Sequence, residues 1–217
     1  MRDIGNIFLV WRKGVGDRRI VVGELKTNST TGTRFRYITD NVAIAEKHGF
    51  TPYTGFPYIE KEYNTNVLEV FSQRLMKSER NDLADFYDFW KVDSSRRFDP
   101  YYMLAQTQGL LPIDNFEFLA EFYPIKGLLF ISEISGLSHL KLKSDELSIG
   151  DVLNYELDPK NPKDEMAVKL MKGQKEVGYV KVIHSRVFHR SKARVKVTIH
   201  HLEKNGNIKR AFLKIEI

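Results

Sequence analysis

Cysteine is absent from the 217 residues. That excludes a disulfide framework and thiolate-based zinc sites, and it fits a reducing compartment. Long apolar runs are missing too, and nothing approaches the roughly 18 consecutive apolar residues of a membrane-spanning helix. The run within "MRDIGNIFLVWRKG" ends at Arg12, too short for a secretory leader. The expectation is a cytoplasmic protein with no membrane segment. Catalytic signatures are equally scarce. No Gly-x-Ser-x-Gly elbow occurs. Gly14 and Gly16 in "RKGVGDR" lack the Lys-Ser/Thr ending and the following helix of a phosphate-binding loop, so this segment reads as a hairpin turn. Asp151 and Asp164 form an acid pair without the third carboxylate a nuclease metal site needs. His184, His189, His200 and His201 have no cysteine and few acids near them in the sequence, so they read as surface histidines. No cofactor, no metal and no catalysis are expected.

What is present is an ordinary globular composition, 42% hydrophobic and 12% aromatic. The net charge of +6 is unevenly placed. Residues 1–120 carry 16 basic and 16 acidic side chains, and residues 121–217 carry 18 and 12. Within 181–217 the count is ten basic to two acidic. A neutral half joined to a basic half predicts two modules, the second with a polyanionic partner.

The apolar periods change along the chain. "NIFLVW", "RIVVGELK" and "TRFRYI" alternate as strands. Val67, Leu68, Phe71 and Leu75, then Leu83, Phe86, Phe89 and Trp90, sit at helical spacing. "FDPYYMLAQTQG" is a short helix with Asp99 as N-cap, Pro100 at the first position and Gly109 as stop. "LLPIDNFEFL" reads as a linker. After Phe118 helical signals nearly vanish. "FLAEFYPIKGLLFIS", "VLNYEL", "MAVKLM", "VGYVKVI", "ARVKVTIHHL" and "RAFLKIEI" read as six strands, with turns at "MKGQKE" and "EKNGN". The predicted class is α+β: a small sheet with helices over residues 1–115, and a six-stranded barrel over 116–217. Val195, Val197 and Ile199 share the inner face of one strand, leaving Arg194 and Lys196 outside; Arg210, Phe212 and Lys214 point outward from the last. A basic, aromatic-dotted barrel exterior suits single-stranded nucleic acid.

The stretch "LSIGDVLNYELDPKNPKDEMAVKLMKGQKEVGYVKVIHSRVF" resembles the HIRAN domain. The family pattern is Asp-Pro-x-Asn-Pro-x-Asp-x-x-Ala-Val/Ile, then a hairpin, Val-Gly-Tyr-Val/Ile and a short helical piece. Here Asp158, Pro159, Asn161, Pro162, Asp164, Ala167 and Val168 match, followed by Val177, Gly178, Tyr179 and Val180. The resemblance implies a modified OB- or SH3-like barrel that captures the free 3′ end of single-stranded DNA, with the Asn-Pro-x-Asp turn as one pocket wall. The chain departs from it in two places. Lys163 stands where an aromatic is common, and Leu129-Phe130 stands where the family often has Arg-Tyr.

Residue chemistry suits such a wall. Pro159 and Pro162 stiffen the turn before any ligand arrives. Asn161 offers donors and acceptors to a base or sugar, and Asp164 accepts from a 3′-hydroxyl while repelling a phosphate. The expected binding residues are Phe130 for stacking, Asp158, Lys160, Asn161, Lys163, Asp164, Tyr179, Lys181, His184, Arg186, Arg194 and Lys196. The other reading of the turn is structural, with Asn161 and Asp164 capping their own backbone.

The N-terminal half, through "IVVGELKTNSTTGTRFRYI", "TGFP", "VFSQRLM" and "DPYYMLAQTQGLLPIDNFEFL", resembles the N-terminal subdomain of HipA-type Ser/Thr kinases. No kinase core fits in the remaining residues. This resemblance implies a protein partner for residues 1–115, such as a separately encoded kinase core. Two functions follow from different classes: a non-catalytic binder of single-stranded DNA or RNA, or an interaction component of a toxin–antitoxin type system without nucleic-acid binding of its own.

Overall fold

A computed structural model of the chain describes residues 3–14, 16–76 and 81–217. It is α+β and divides into two units, Ile4–Glu121 and Phe122–Ile217 with Asp3.

In the first unit, β1 (Ile4–Trp11), β2 (Ile20–Asn28) and β3 (Gly32–Tyr37) pair antiparallel as successive neighbours. The tip of the β1–β2 connection, at Val15, lies outside the described residues. Four α-helices follow among the described residues: α1 (Thr39–Glu46), α2 (Val67–Ser72), α3 (Leu83–Trp90) and α4 (Pro100–Thr107). α1 was not expected. It buries only Val42 and Ala45, too sparse a stripe to show at helical period. α4 forms as its punctuation predicts. The Asp99 carboxylate accepts from the backbone N–H of Tyr101 at 2.9 Å and of Tyr102 at 3.1 Å, and the left-handed Gln108 and Gly109 end the helix.

The fourth strand, β4 (Phe116–Phe122), joins this sheet beside β1, giving the order β3-β2-β1-β4. This changes two expectations. The linker assigned to residues 110–119 becomes strand from Phe116, and the division falls after Glu121 rather than after residue 115. The reason is packing. Phe118 is fully buried against Phe71, ring centroids 4.8 Å apart, within a cluster that includes Phe35 and Phe56. Arg74 anchors the approach to the strand: its guanidinium pairs with Asp114 at 2.8 Å and donates to the carbonyls of Gly109 and Phe116. Burial works against its charge, but Asp114 more than offsets this and holds its pKa above the ordinary arginine value.

The second unit contains β5 (Leu129–Ser135), α5 (Leu137–Leu140), β6 (Val152–Leu157), β7 (Val168–Lys172), β8 (Lys175–Val180), α6 (Arg186–Arg190), β9 (Lys196–Asn205) and β10 (Asn207–Glu216). Its six strands close into an antiparallel barrel in the order β10-β5-β8-β7-β6-β9, each pairing with the next and β9 with β10. Val195, Val197 and Ile199 are buried, as the alternation predicts. Gly178 explains the Val-Gly-Tyr pattern. Its φ is +128°, and a Cβ there would stand 2.4 Å from Ile134 Cγ2 and 2.6 Å from the Ser135 carbonyl oxygen. Only glycine lets β5 and β8 approach this closely.

Candidate nucleic-acid interface

The loop at residues 158–167 connects β6 to β7 and extends their ladder. Leu157 pairs with Val168, and the Asp158 N–H donates to the Ala167 carbonyl at 2.9 Å. Inside that closure lie two tight turns. The Asn161 N–H donates to the Asp158 carbonyl at 3.1 Å, with Pro159 at the second position, where its fixed φ is already correct. The Ala167 N–H donates to the Asp164 carbonyl at 3.0 Å, and the Asp164 carboxylate Oδ1 accepts from the Met166 N–H at 2.9 Å. Between the two turns, the Asn161 Oδ1 accepts from the Lys163 N–H at 3.0 Å. Asp and Asn occur here because their short side chains reach the backbone two residues ahead. The structural role weighed for Asn161 and Asp164 is therefore real.

The loop also presents a polar cluster. The Asp158 Oδ2 receives Tyr179 Oη at 3.2 Å and Asn161 Nδ2 at 3.3 Å. Tyr179 lies on β8 opposite Lys169 of β7 and Ser135 of β5, so the barrel wall fixes its position. Burial, with Glu176 and Asp158 adding to it, raises the Tyr179 hydroxyl above its ordinary pKa. It therefore stays protonated, a hydrogen-bond donor, at neutral pH. A contact absent from the expected set holds the loop from α6: His189 Nε2 lies 3.2 Å from the Met166 carbonyl oxygen. Histidine type alone gives no sequence signal for it.

Several groups keep free capacity after this internal bonding. Lys160 and Lys163 are exposed and have no carboxylate partner among the described residues. Asp164 is half-buried and uses one carboxylate oxygen within the turn, leaving Oδ2 available. Arg194 is exposed with no acid partner among the described residues.

Three of the expected contacts are not available. Phe130 is fully buried, stacked on Phe122 at 4.1 Å and edge-on to His184 at 5.1 Å, so it cannot stack a base. β5 is covered on both faces, with Ile131 and Glu133 buried as well as Phe130 and Ser132, and alternation gives no guide to exposure there. Lys181 has no exposed surface. Its ammonium pairs at 3.2 Å with Glu133, which also takes Arg210 at 2.8 Å, so it is an internal counter-ion and not a phosphate ligand. His184 is buried as well, its Nδ1 2.9 Å from Ser132 Oγ.

The basic outer face is also thinner than its sequence. Phe212, expected to point outward, is buried beneath the Arg210 guanidinium at 4.5 Å, next to a bulge where the β9–β10 register shifts. Arg210 also meets Glu203. Lys196 and Lys214 share Glu216, at 3.6 and 3.1 Å. Arg186 is half-buried in α6. Asp151 is committed to Lys172 at 2.6 Å and to the Ser148 N–H at 2.8 Å. Among the described residues no group of three or more His, Asp or Glu side chains gathers as a metal site.

No family model and no curated protein matches the chain. Two solved structures are similar to part of it. The HIRAN domain of human HLTF is 15% identical, covering 40% of this chain and 74% of that one, with a TM-score of 0.32. A protein from Lactobacillus plantarum is 13% identical, covering 42% of this chain and 96% of that one, also with a TM-score of 0.32. No residue role is carried across from either.

Proposed function

We propose that the barrel unit is a non-catalytic binder of single-stranded nucleic acid, DNA in the first instance, and that the 158–167 loop takes the strand's 3′-hydroxyl end. The observation that carries this reading is the loop itself. It is closed at both ends and stiffened by two prolines, and it sets Asp158, Asn161, Asp164 and Tyr179 beside the unpartnered Lys160 and Lys163. A loop ordered in advance loses little entropy on binding. The open oxygen of Asp164 can accept a terminal hydroxyl, and its charge disfavours a terminal phosphate. Lys160 and Lys163 suit the phosphates behind that terminus. With Phe130 buried, Tyr179 is the aromatic next to the loop and takes the stacking role.

The test is fluorescence anisotropy with a decanucleotide carrying a 3′-hydroxyl or a 3′-phosphate, at two salt concentrations. The hydroxyl form should bind about 10- to 100-fold tighter, the range of a hydrogen bond to a charged group. Asp164→Asn keeps the bond to Met166 and should erase that preference. Equal, salt-sensitive binding of both forms would reduce the loop to a generic basic surface. Absence of binding at low salt would turn the reading to a protein partner.

The separate proposal for residues 1–115, a protein partner such as a HipA-like kinase core, stands on the sequence resemblance. Co-purification of such a partner with the intact chain is its test.

A further inference from the structure

The same unit carries a second basic site that the loop does not use. A cleft of about 520 Å³ opens between Pro124, Lys126, Arg190, Lys192, Ala193 and Ile217. Three of its six lining residues carry cationic side chains and the other three carry apolar ones. Lys126 and Lys192 are exposed and have no acid partner among the described residues. This contrasts with Lys196, Arg210 and Lys214 of β9 and β10, which pair with Glu216 or Glu203. The volume is that of a small-ligand pocket, enough for a nucleotide-sized group.

The position of the cleft relative to the loop gives it a role. His189 of α6 touches the loop at the Met166 carbonyl, and the next residue, Arg190, lines the cleft. The end of α6 thus lies between the loop and the cleft. We infer that the cleft of Lys126, Arg190 and Lys192 is a second anion subsite, which takes phosphodiester groups a few nucleotides behind the end held at the loop. The inference rests on the reading that this unit binds a single strand. It adds that full affinity needs a strand long enough to pass the end of α6, and that much of the salt dependence of long-strand binding arises at the cleft. The uncompensated lysines supply the reason, since each phosphate they neutralise releases condensed counterions.

The experiment uses the full chain and the double variant Lys126→Gln/Lys192→Gln, with a dinucleotide and a decanucleotide, both ending in a 3′-hydroxyl, across a salt series. Neither lysine holds another side chain among the described residues, so the thermal midpoint should not move. The decanucleotide should bind the variant more weakly, with its log–log salt slope flattened by about 1.4, roughly 0.7 for each of two phosphates. Dinucleotide binding and the preference for a hydroxyl over a phosphate end should be unchanged. An unchanged decanucleotide affinity and slope, with the hydroxyl preference intact in wild type, would overturn the cleft and leave the loop reading standing. A flattened slope in a protein without hydroxyl preference would uphold the cleft and remove the end-capture reading. If the wild-type chain binds no decanucleotide at low salt, both fall.

Discussion

Two lysines of the barrel unit show how the surroundings of a residue set its role. Lys160 stands in solvent on the proline loop, and Lys181 is sealed against Glu133 with no exposed surface. Lys160→Gln should leave stability within about 0.5 kcal/mol of wild type while reducing the salt dependence of strand binding. Lys181→Ala removes one partner of a buried pair and should cost about 3 kcal/mol in urea unfolding. Its effect on the salt slope should be nil. Phe130→Ala belongs with Lys181. It empties a stacked core position and should cost about 3–5 kcal/mol of stability, with strand affinity unchanged while the protein stays folded. A Phe130→Ala variant of normal stability and weak strand binding would show that the ring meets the ligand.

At the level of elements, the close approach of β5 to β8 positions Tyr179 beside the loop. Gly178 permits that approach, so its substitution is a test of the element and not only of a residue. Gly178→Ala forces a side chain into a left-handed backbone against the Ser135 carbonyl and Ile134. It should cost at least about 1–3 kcal/mol, the range for such strained backbone positions. Because Ser135 pairs with Tyr179, strand binding should weaken in the same variant. Urea unfolding and anisotropy measured on one preparation check both. The loop at 158–167 was legible because proline, Asp and Asn have local geometric preferences that survive any tertiary setting. The exposure of β5 and β10 was not. Alternation predicts which residues share a face, but a neighbouring aromatic or a bulge decides whether that face meets water. Phe130 and Phe212 are the two cases.

On the scale of the whole molecule, charge links the barrel to pH. Glu146 pairs with Lys175 and accepts from the Lys143 N–H, and Asp151 pairs with Lys172; these contacts hold both carboxyls below their ordinary pKa values. Their stabilisation is complete above the ordinary carboxylate range and fades as pH falls below roughly 4, where the folded groups take up protons. The urea midpoint should therefore decline in acid, and Asp151→Asn should make that decline shallower. A variant curve parallel to wild type would show that the Lys172 pair contributes nothing measurable, as many exposed pairs do.

The sequence by itself determined the α+β class, the strands from β6 to β10, the capped helix α4 and the stiff proline loop. Each depends on local periodicity or on the backbone preferences of single residues. Tertiary structure alone decided that β4 belongs to the first sheet, because Phe118 is buried against Phe71 and Asp114 meets Arg74 forty residues away. It decided as well which cations face solvent. Lys181 and Lys126 look alike in the chain, and only the placement of Glu133 beside one and of open space beside the other separates a core ion pair from a candidate phosphate ligand. Coulomb interactions act through space, so the sequence that supplies the charges does not fix their pairing.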